Sequence, residues 1–261
     1  MDAGTGSGRT LVIGSRGSPL ALRQSGMMRD AIAAHNPGLK VEIAVIRTTG
    51  DRQQEWTAPP TAQTAGKGIF VKEIEEALAA GRIDAAIHSM KDLPTEMPAG
   101  LCIAAIPERE DPRDVLAARS PAEFDALPMG ARIGTGSPRR VSQLRHRRGD
   151  LSYVPLRGNV DTRLRRMREG DVDAVILAAA GLNRLGLMQP DFTFLPPGIC
   201  LPAVGQGALA IETRDEEGWV RSAVRTLHHP ATAAAVVAER AFLSKLGGGC
   251  QVPVAAHATI S

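Results

Sequence analysis

A pattern that occurs twice, once in each half of the sequence, constrains the fold more than any other feature. The string Gly-Ser-Pro, followed by four residues and a glutamine, is found at 17–24 and again at 136–143. A second pair of similar segments, each beginning with glycine, lies at 81–87 and 170–176. The two pairs are offset by 119 and 89 residues. We therefore predict two similar lobes, the first of which carries an insertion that forms a loop around 48–68.

Both copies place the Ser-Pro step where a strand runs into a helix. Short apolar segments at 10–13 and 132–135 precede the two steps. Serine before proline signals a helix N-terminus, because the hydroxyl caps the helix and proline suits its first turn. Strands that alternate with helices predict mostly parallel sheets, whose ligands bind beyond the carboxyl ends of the strands. The predicted fold is α/β, with two similar lobes around a cleft, as in periplasmic binding proteins.

The remaining segments predict further elements and the limits of the domains. Strands are predicted at 41–46, 83–88, 101–106 and 174–178, helices at 70–78 and 231–246, and a strand at 203–210 that crosses back to the first lobe. The first lobe is assigned residues 10–108 and 203–222, the second lobe 109–202, and a truncated α/β third domain with the cysteine loop 223–261.

Arginine dominates the stretch from 132 to 168, which has eleven arginines, no lysine and two aspartates. Arginine in place of lysine favours two-pronged binding of carboxylate or phosphate, and helix N-termini attract anions. Such a block also occurs in nucleic-acid-binding proteins, but aromatic residues make up only 3% of the chain, which leaves few side chains for base stacking. A polycarboxylate site, a nucleic-acid site and a solvated face stay open at this point.

Two reactive side chains stand out, Asp92 and Cys250. Asp92 follows the predicted buried strand at 83–88, where a carboxylate can stabilise a transient cation and move protons; it can equally cap a turn or pair with Lys91. Cys250 lies in the glycine-rich loop 247–253, either as a reactive thiol or as a small buried side chain. The six histidines show no metal-ligand spacing, so we expect no metal.

Five motifs together resemble those of the porphobilinogen deaminase family, also called hydroxymethylbilane synthases. They lie at 14–21, 88–94, 157–159, 204–208 and 248–250, and the resemblance covers nearly the whole chain from residue 10. It implies a transferase of porphyrin and heme biosynthesis that joins four porphobilinogen units head-to-tail into hydroxymethylbilane and releases ammonia. It also implies a dipyrromethane cofactor that is bound through a thioether to Cys250.

The resemblance implies roles for individual residues as well. Asp92 would be the catalytic acid that protonates the leaving amine and stabilises the cation. The carboxylates of the cofactor would be held by Lys91, Ser137, Arg139, Arg140 and Arg184. The substrate would be contacted by Arg16, Ser18, Phe70, Arg157 and Arg163.

The chain departs from the family's pattern in two places. Gly136 and Pro138 stand where many relatives have serine and leucine, which removes at most one hydroxyl contact. The family's third domain normally continues beyond the cysteine loop, whereas this chain ends at Ser261 after one predicted strand at 252–260. We therefore expect a shortened third domain. The alternative is a non-catalytic two-lobed protein, such as an inactive relative, that binds polycarboxylates.

The composition also bears on where the protein works. The first ten residues lack the apolar segment of a signal peptide, and no apolar run reaches the length of a membrane span. Three cysteines far apart in sequence favour a reducing compartment over a disulfide framework. We expect a cytoplasmic monomer whose partner is porphobilinogen, and which binds neither nucleic acid nor membrane.

Overall fold

The computed structural model describes residues 8–48, 71–247 and 253–260. The strands within these ranges are β1 (Thr10–Ser15), β2 (Lys40–Val45), β3 (Ala85–Ser89), β4 (Leu101–Ala105), β5 (Asp114–Ala118), β6 (Arg132–Gly134), β7 (Ser152–Val154), β8 (Ala174–Ala178), β9 (Thr193–Leu195) and β10 (Leu209–Arg214). The helices are α1 (Pro19–His35), α2 (Lys72–Ala79), α3 (Pro138–Arg147), α4 (Val160–Arg168), α5 (Ala179–Leu185), α6 (Trp219–Arg225) and α7 (Pro230–Lys245), with 3₁₀ turns at Met90–Asp92 and Phe124–Ala126. The predicted loop at 48–68, except Thr48, lies outside the described residues.

The chain divides into two compact units. The first comprises Met1–Glu108 and Ala208–Ala234, and the second Arg109–Gly207 and Ala235–Ser261. The limit between Ala234 and Ala235 falls inside α7. A separate third domain from residue 223 stays a prediction.

The first unit is built on a five-stranded sheet in the order β2-β1-β3-β10-β4. β1 pairs in parallel with β2 and β3, whereas β10 runs antiparallel to β3 and β4. Leu11 and Ile13 of β1 are fully buried against Met28 and Ile32 of α1, and this apolar contact fixes the helix on one face of the sheet. Because β1 and β3 are parallel, the segments that follow them leave the sheet at the same edge.

The second unit repeats this plan in a sheet of the order β7-β6-β8-β5-β9. β6 pairs in parallel with β7 and β8, and β5 runs antiparallel to β8 and β9. The two sheets share one strand order and one set of directions, in which the fourth strand runs against the other four. The predictions of similar lobes and of mostly parallel sheets are therefore confirmed.

The similarity of the two units extends to single hydrogen bonds. In the first unit the Oδ2 of Asp84 accepts a bond from the amide of Val12 at 2.9 Å, and in the second the Oδ2 of Asp173 accepts one from the amide of Arg132 at 2.8 Å. Three residues before each aspartate stands a glycine with positive φ, +67° at Gly81 and +88° at Gly170. Other residues rarely adopt this conformation, which explains the glycine in both copies of the second repeat.

Two predicted strands differ from the structure, and some observed strands are not predicted. β10 begins at Leu209 rather than at 203, because Gly205 and Gly207 adopt φ values of 69° and 89° that do not fit a strand. β5 and β9 are strands that the sequence patterns do not predict. The strand predicted at 252–260 is wrong, since residues 253–260 form neither strand nor helix. In the described part of the chain, no helix has the length and apolar character needed to cross a bilayer.

Candidate functional site

In the first unit, the turn between β1 and α1 has the geometry that its sequence predicts. Ser18 is extended and its Oγ accepts a hydrogen bond from the amide of Ala21 at 3.3 Å, while Pro19 takes the first helical position. The N-terminus of α1 is therefore capped, and the positive end of the helix dipole lies beside Arg16, which is half-buried. An anion is favoured at this end of the helix.

The turn that carries Lys91 and Asp92 leaves the same edge of the sheet. It follows β3 directly, and the amide of Met90 donates a hydrogen bond to the carbonyl of Ala208 at 3.0 Å. Met90 and Leu93 are buried, at 1% and 2% exposure, whereas Asp92 is exposed and Lys91 half-buried. Two apolar anchors thus turn the Asp92 carboxylate outward from the end of a buried strand, as predicted.

These two turns line one small cavity in the first unit, of about 60 Å³. Its polar lining consists of Arg16, Ser18, Gln24, His88, Ser89 and Asp92. The structure therefore brings together three of the predicted site residues, Arg16, Ser18 and Asp92, from two different segments. Within one cavity the protein offers a cationic guanidinium, a capped helix N-terminus and an exposed carboxylate.

Two polar residues of this cavity, Gln24 and Ser89, are not among the predicted site residues. The Nε2 of Gln24 donates a hydrogen bond to the Oγ of Ser89 at 3.1 Å, which links α1 to the end of β3. Gln24 is the last residue of the repeated Gly-Ser-Pro string, and that recurrence is the signal that could have found it. The matching Gln143 has a different partner: its Oε1 accepts a hydrogen bond from the amide of Leu201 at 2.8 Å.

In the second unit, Arg139 and Arg140 are buried on a single carboxylate, that of Asp114. The Nη2 of each guanidinium lies 2.7 Å from one Asp114 oxygen, and Gln206 donates to the same carboxylate at 2.8 Å. Burial by itself would raise the pKa of Asp114, but the charges and hydrogen bonds of Arg140 and Arg139 outweigh it and hold that pKa well below its usual range. Asp114 carries no signal in the sequence, since it is one acidic residue before an apolar strand.

These ion pairs change what can be expected of the two arginines. Arg139 also donates to the carbonyl of Leu201 at 2.6 Å, so its guanidinium is already engaged in hydrogen bonds within the second unit. Arg140 donates to the carbonyl of Ile176 at 2.9 Å, yet its buried Nε has no hydrogen-bond partner among the described residues. The contact of each with cofactor carboxylates stays a prediction, for which Arg140 retains an unused donor.

Arg163 carries a positive charge that no carboxylate of the described residues balances. It is mostly buried at the start of α4, where its Nε donates to the carbonyl of Gly158 at 2.8 Å. Burial, together with the charge of Arg140, lowers the pKa of Arg163 to about 10. A pKa lowered in this way means that the charged form of the side chain is disfavoured, and a bound anion would stabilise that form.

The other predicted site residues of the second unit are Ser137, Arg157 and Arg184, which lie at the start of α3, before α4 and in α5. The Oγ of Ser137 caps α3 by accepting from the amide of Arg140 at 3.5 Å, and Arg157 is exposed before α4. Arg184 lies in the last turn of α5 and donates to the carbonyl of Gly207 at 2.6 Å. Burial lowers the pKa of Arg184, against the opposing charge of Glu110.

Phe70 and Cys250 lie outside the described residues, so their predicted roles stay predictions. Among the residues that are described, no group of three or more histidine, cysteine, aspartate or glutamate side chains could hold a metal ion. The site residues that the structure describes are mainly arginines, capping serines and the exposed Asp92, and this set suits a ligand with several carboxylates.

Comparison with known proteins points the same way. Residues 11–222 match the family model "Porphobilinogen deaminase, dipyromethane cofactor binding domain", and residues 233–261 match that of the porphobilinogen deaminase C-terminal domain. Porphobilinogen deaminase of Syntrophobacter fumaroxidans is 53% identical over 250 residues, which cover 96% of this chain and 80% of the relative. That of Syntrophus aciditrophicus is 53% identical over 94% of this chain and 79% of the relative.

One solved structure shares the fold at low sequence identity. Full-length CbnR in complex with its target DNA superposes with a TM-score of 0.50 and 14% identity, over 87% of this chain and 71% of that one. At this identity the likeness concerns the fold alone.

Proposed function

The chain belongs to the porphobilinogen deaminase family, and from that premise we propose that it condenses four porphobilinogen units into hydroxymethylbilane with release of ammonia. One observation carries the proposal: Arg16, Ser18 and Asp92 line a single cavity at the carboxyl end of the first sheet. A cation and a capped helix end can bind the carboxylates of the substrate there, beside an acid. The alternative of a non-catalytic polycarboxylate-binding protein is not favoured, because the binding of carboxylates does not require an acid such as Asp92 in the same cavity.

The residues present fit the dipyrromethane cofactor of this family. Its two pyrrole rings carry two carboxylates each, and the second unit offers an unused buried donor on Arg140. We propose that the cofactor is held by Lys91, Ser137, Arg139, Arg140 and Arg184 and attached through Cys250. When bound, it supplies the pyrrole carbon from which the chain grows.

The chain's own residues then have separable tasks. Arg16 and Ser18 bind the carboxylates of the incoming porphobilinogen, with Phe70, Arg157 and Arg163 as further substrate contacts, and so orient its aminomethyl group. Asp92 donates a proton to the leaving amine and faces the cation that remains when ammonia departs. Its carboxylate also accepts hydrogen bonds from pyrrole N–H groups, which orients the rings for bond formation.

The deciding experiment is to incubate the full chain with porphobilinogen and to follow its consumption together with the intact mass of the protein. We expect a mass increase on Cys250 and steady turnover. Asp92→Asn should lower kcat by at least about 100-fold, the range for loss of a general acid, while carboxylate binding persists. Asp30→Asn, which neutralises an exposed carboxylate on α1, should leave turnover unchanged. A protein of unaltered mass that consumes no porphobilinogen would rule the proposal out.

We also propose that the protein acts as a cytoplasmic monomer that binds neither nucleic acid nor membrane. The two described cysteines, Cys102 and Cys200, are free, which suits a reducing compartment. Light scattering should give the mass of one chain, 27.6 kDa plus cofactor. Tight binding to DNA with a steep dependence on salt would contradict the proposal.

A further inference from the structure

We propose that His88 and Glu212 form a buried positioning pair for Asp92, which holds the turn with that carboxylate in the place the reaction needs. The inference rests on the proposed function, in which Asp92 is the acid. His88 lines the same cavity as Asp92, and Glu212 lies on β10, which pairs with β3. The Nε2 of His88 and the Oε2 of Glu212 are 2.9 Å apart.

The register of the sheet explains why these two side chains meet. In the antiparallel pair of β3 and β10, His88 lies opposite Ala210 and Glu212 lies opposite Ala86. Residues two apart on a strand share a face, so His88 and Glu212 are diagonal neighbours on one side of the sheet. That side packs against the apolar residues of α2, including Ile74 and Leu78. A hydrogen-bonded pair of ionisable side chains is therefore enclosed in a mostly apolar layer.

Stability alone does not account for this pair. The side chains of His88 and Glu212 are 3% and 0% exposed, and the buried Oε1 of Glu212 has no hydrogen-bond partner within the described residues. Enclosing ionisable groups with an unused acceptor is unfavourable, and apolar residues of similar volume often serve a core equally well or better. The pair therefore provides something other than core packing.

The position of the pair in the chain indicates that it holds the segment that leads to Asp92. Three residues separate His88 from Asp92, and the first two of them are anchored: Ser89 to Gln24 at 3.1 Å, and Met90 through its amide to Ala208 at 3.0 Å. The pair fixes the start of this segment. With β3 held at His88 and the turn held at Met90, the backbone at Asp92 has little freedom.

Glu75 of α2 is the third ionisable group in this layer. Burial raises the pKa of Glu75, the negative charge of Glu212 raises it further, and His88 acts in the opposite direction. The buried Oε1 of Glu75 also has no hydrogen-bond partner among the described residues. His88 thus lies near two acidic side chains, Glu212 on β10 and Glu75 on α2.

A double substitution separates positioning from stability. In His88→Phe/Glu212→Leu, two apolar side chains of similar volume replace the pair, so we expect the thermal unfolding midpoint to stay at or above that of the original protein. We expect kcat for porphobilinogen to fall about 10- to 100-fold, as for a misplaced catalytic group, with KM changed less than about threefold. A pair that only stabilised the fold would leave kcat unchanged in a stable variant.

A conservative substitution and a matched control complete the design. Glu212→Gln keeps the shape and a hydrogen bond to His88, so it should retain more activity than the double variant. Asp84→Asn alters another ion pair of the same unit, with Arg214 of β10 at 3.6 Å, but at the edge of the sheet away from Asp92. It should leave kcat unchanged.

A readout that needs no cofactor comes from the protein labelled with 13C at the aspartate carboxyls. We expect the resonance of Asp92, assigned by its loss in Asp92→Asn, to shift or broaden in the double variant and in Glu212→Gln, but to stay in place in Asp84→Asn. If the double variant does not fold, Glu212→Gln decides: a lowered kcat with a moved resonance supports the pair, and an unchanged kcat with an unmoved resonance overturns it. Failure of the unsubstituted protein to consume porphobilinogen would overturn the proposed function itself, and the inference with it.

Discussion

Among the individual residues, internal ion pairs distinguish two kinds of arginine. Some guanidinium groups are already bound to a buried carboxylate, and others have none and can bind a ligand. All the arginines between 132 and 168 look alike in sequence, yet Arg139 and Arg140 are fixed on Asp114, whereas Arg163 has no carboxylate partner among the described residues. The sequence predicts an anion site in this block, but it does not predict Asp114. A single aspartate acquires this role only because the fold buries it between two guanidinium groups.

The unbalanced charge of Arg163 makes its removal stabilising. Its pKa is lowered to about 10 from an ordinary value of 12.5, so at neutral pH the charged form opposes folding. Arg163→Met removes this charge and loses one hydrogen bond to Gly158, and we expect a net gain of about 1 kcal/mol in the free energy of unfolding. If Arg163 binds substrate carboxylates, KM for porphobilinogen should rise about tenfold.

Urea denaturation and steady-state kinetics check both parts of this expectation. Arg165→Met is the matched control, since Arg165 lies on the same helix and pairs at the surface with Glu169 at 2.9 Å. It should change the free energy of unfolding by less than about 0.5 kcal/mol and leave KM unaltered. A destabilised Arg163→Met with an unchanged KM would show that the arginine is structural.

At the scale of the element, the helix starts are the part of the fold that the sequence predicts best. α1 and α3 begin one residue after their serines, because the cap depends on local chemistry alone. β10 and β5 are predicted poorly or not at all, because their pairing depends on strands far away in sequence. The wrong strand at 252–260 has the same cause: an apolar segment forms a strand only where a sheet offers it a partner.

The two caps should contribute to stability by small and similar amounts. Ser18→Ala and Ser137→Ala each remove the acceptor of a helix N-terminal amide, at 3.3 Å for Ser18 and 3.5 Å for Ser137. Such long bonds suggest the lower part of the usual range, about 0.5–1 kcal/mol, as measured by the shift of the urea midpoint at constant m-value. Ser222→Ala, in the short helix α6, serves as a control for loss of an exposed hydroxyl. A loss above about 2 kcal/mol would mean that the serines do more than cap.

In the molecule as a whole, the antiparallel strand of each sheet is the first strand after the chain passes from one unit into the other. β5 is the first strand after Arg109, and β10 begins two residues after Gly207, close to the two points where the division between the units falls. The repeated string predicts that there are two units, but not that their antiparallel strands are placed in this way. That information lies in long-range pairing, which no local pattern records.

Glu239 of α7 joins three distant segments of the second unit. Its carboxylate accepts hydrogen bonds from Arg109 at 2.6 Å, from the amide of Gly205 at 2.7 Å and from the amide of Ala258 at 2.9 Å. The side chain of Glu239 is 1% exposed and that of Arg109 10%. One buried carboxylate thus ties the start of the second unit, the segment before β10 and the segment 253–260 to the last helix.

Removing that charge should loosen all three segments together. Glu239→Gln keeps the volume but leaves the buried guanidinium of Arg109 without this carboxylate, so we expect a loss of about 3 kcal/mol in the free energy of unfolding. Limited proteolysis should show faster cleavage at 253–260 while the first unit stays intact. Glu169→Gln, which neutralises an exposed carboxylate of the same unit, should cost less than about 0.5 kcal/mol. If Glu239→Gln is equally mild, the three segments are held by their apolar contacts, and the carboxylate is replaceable.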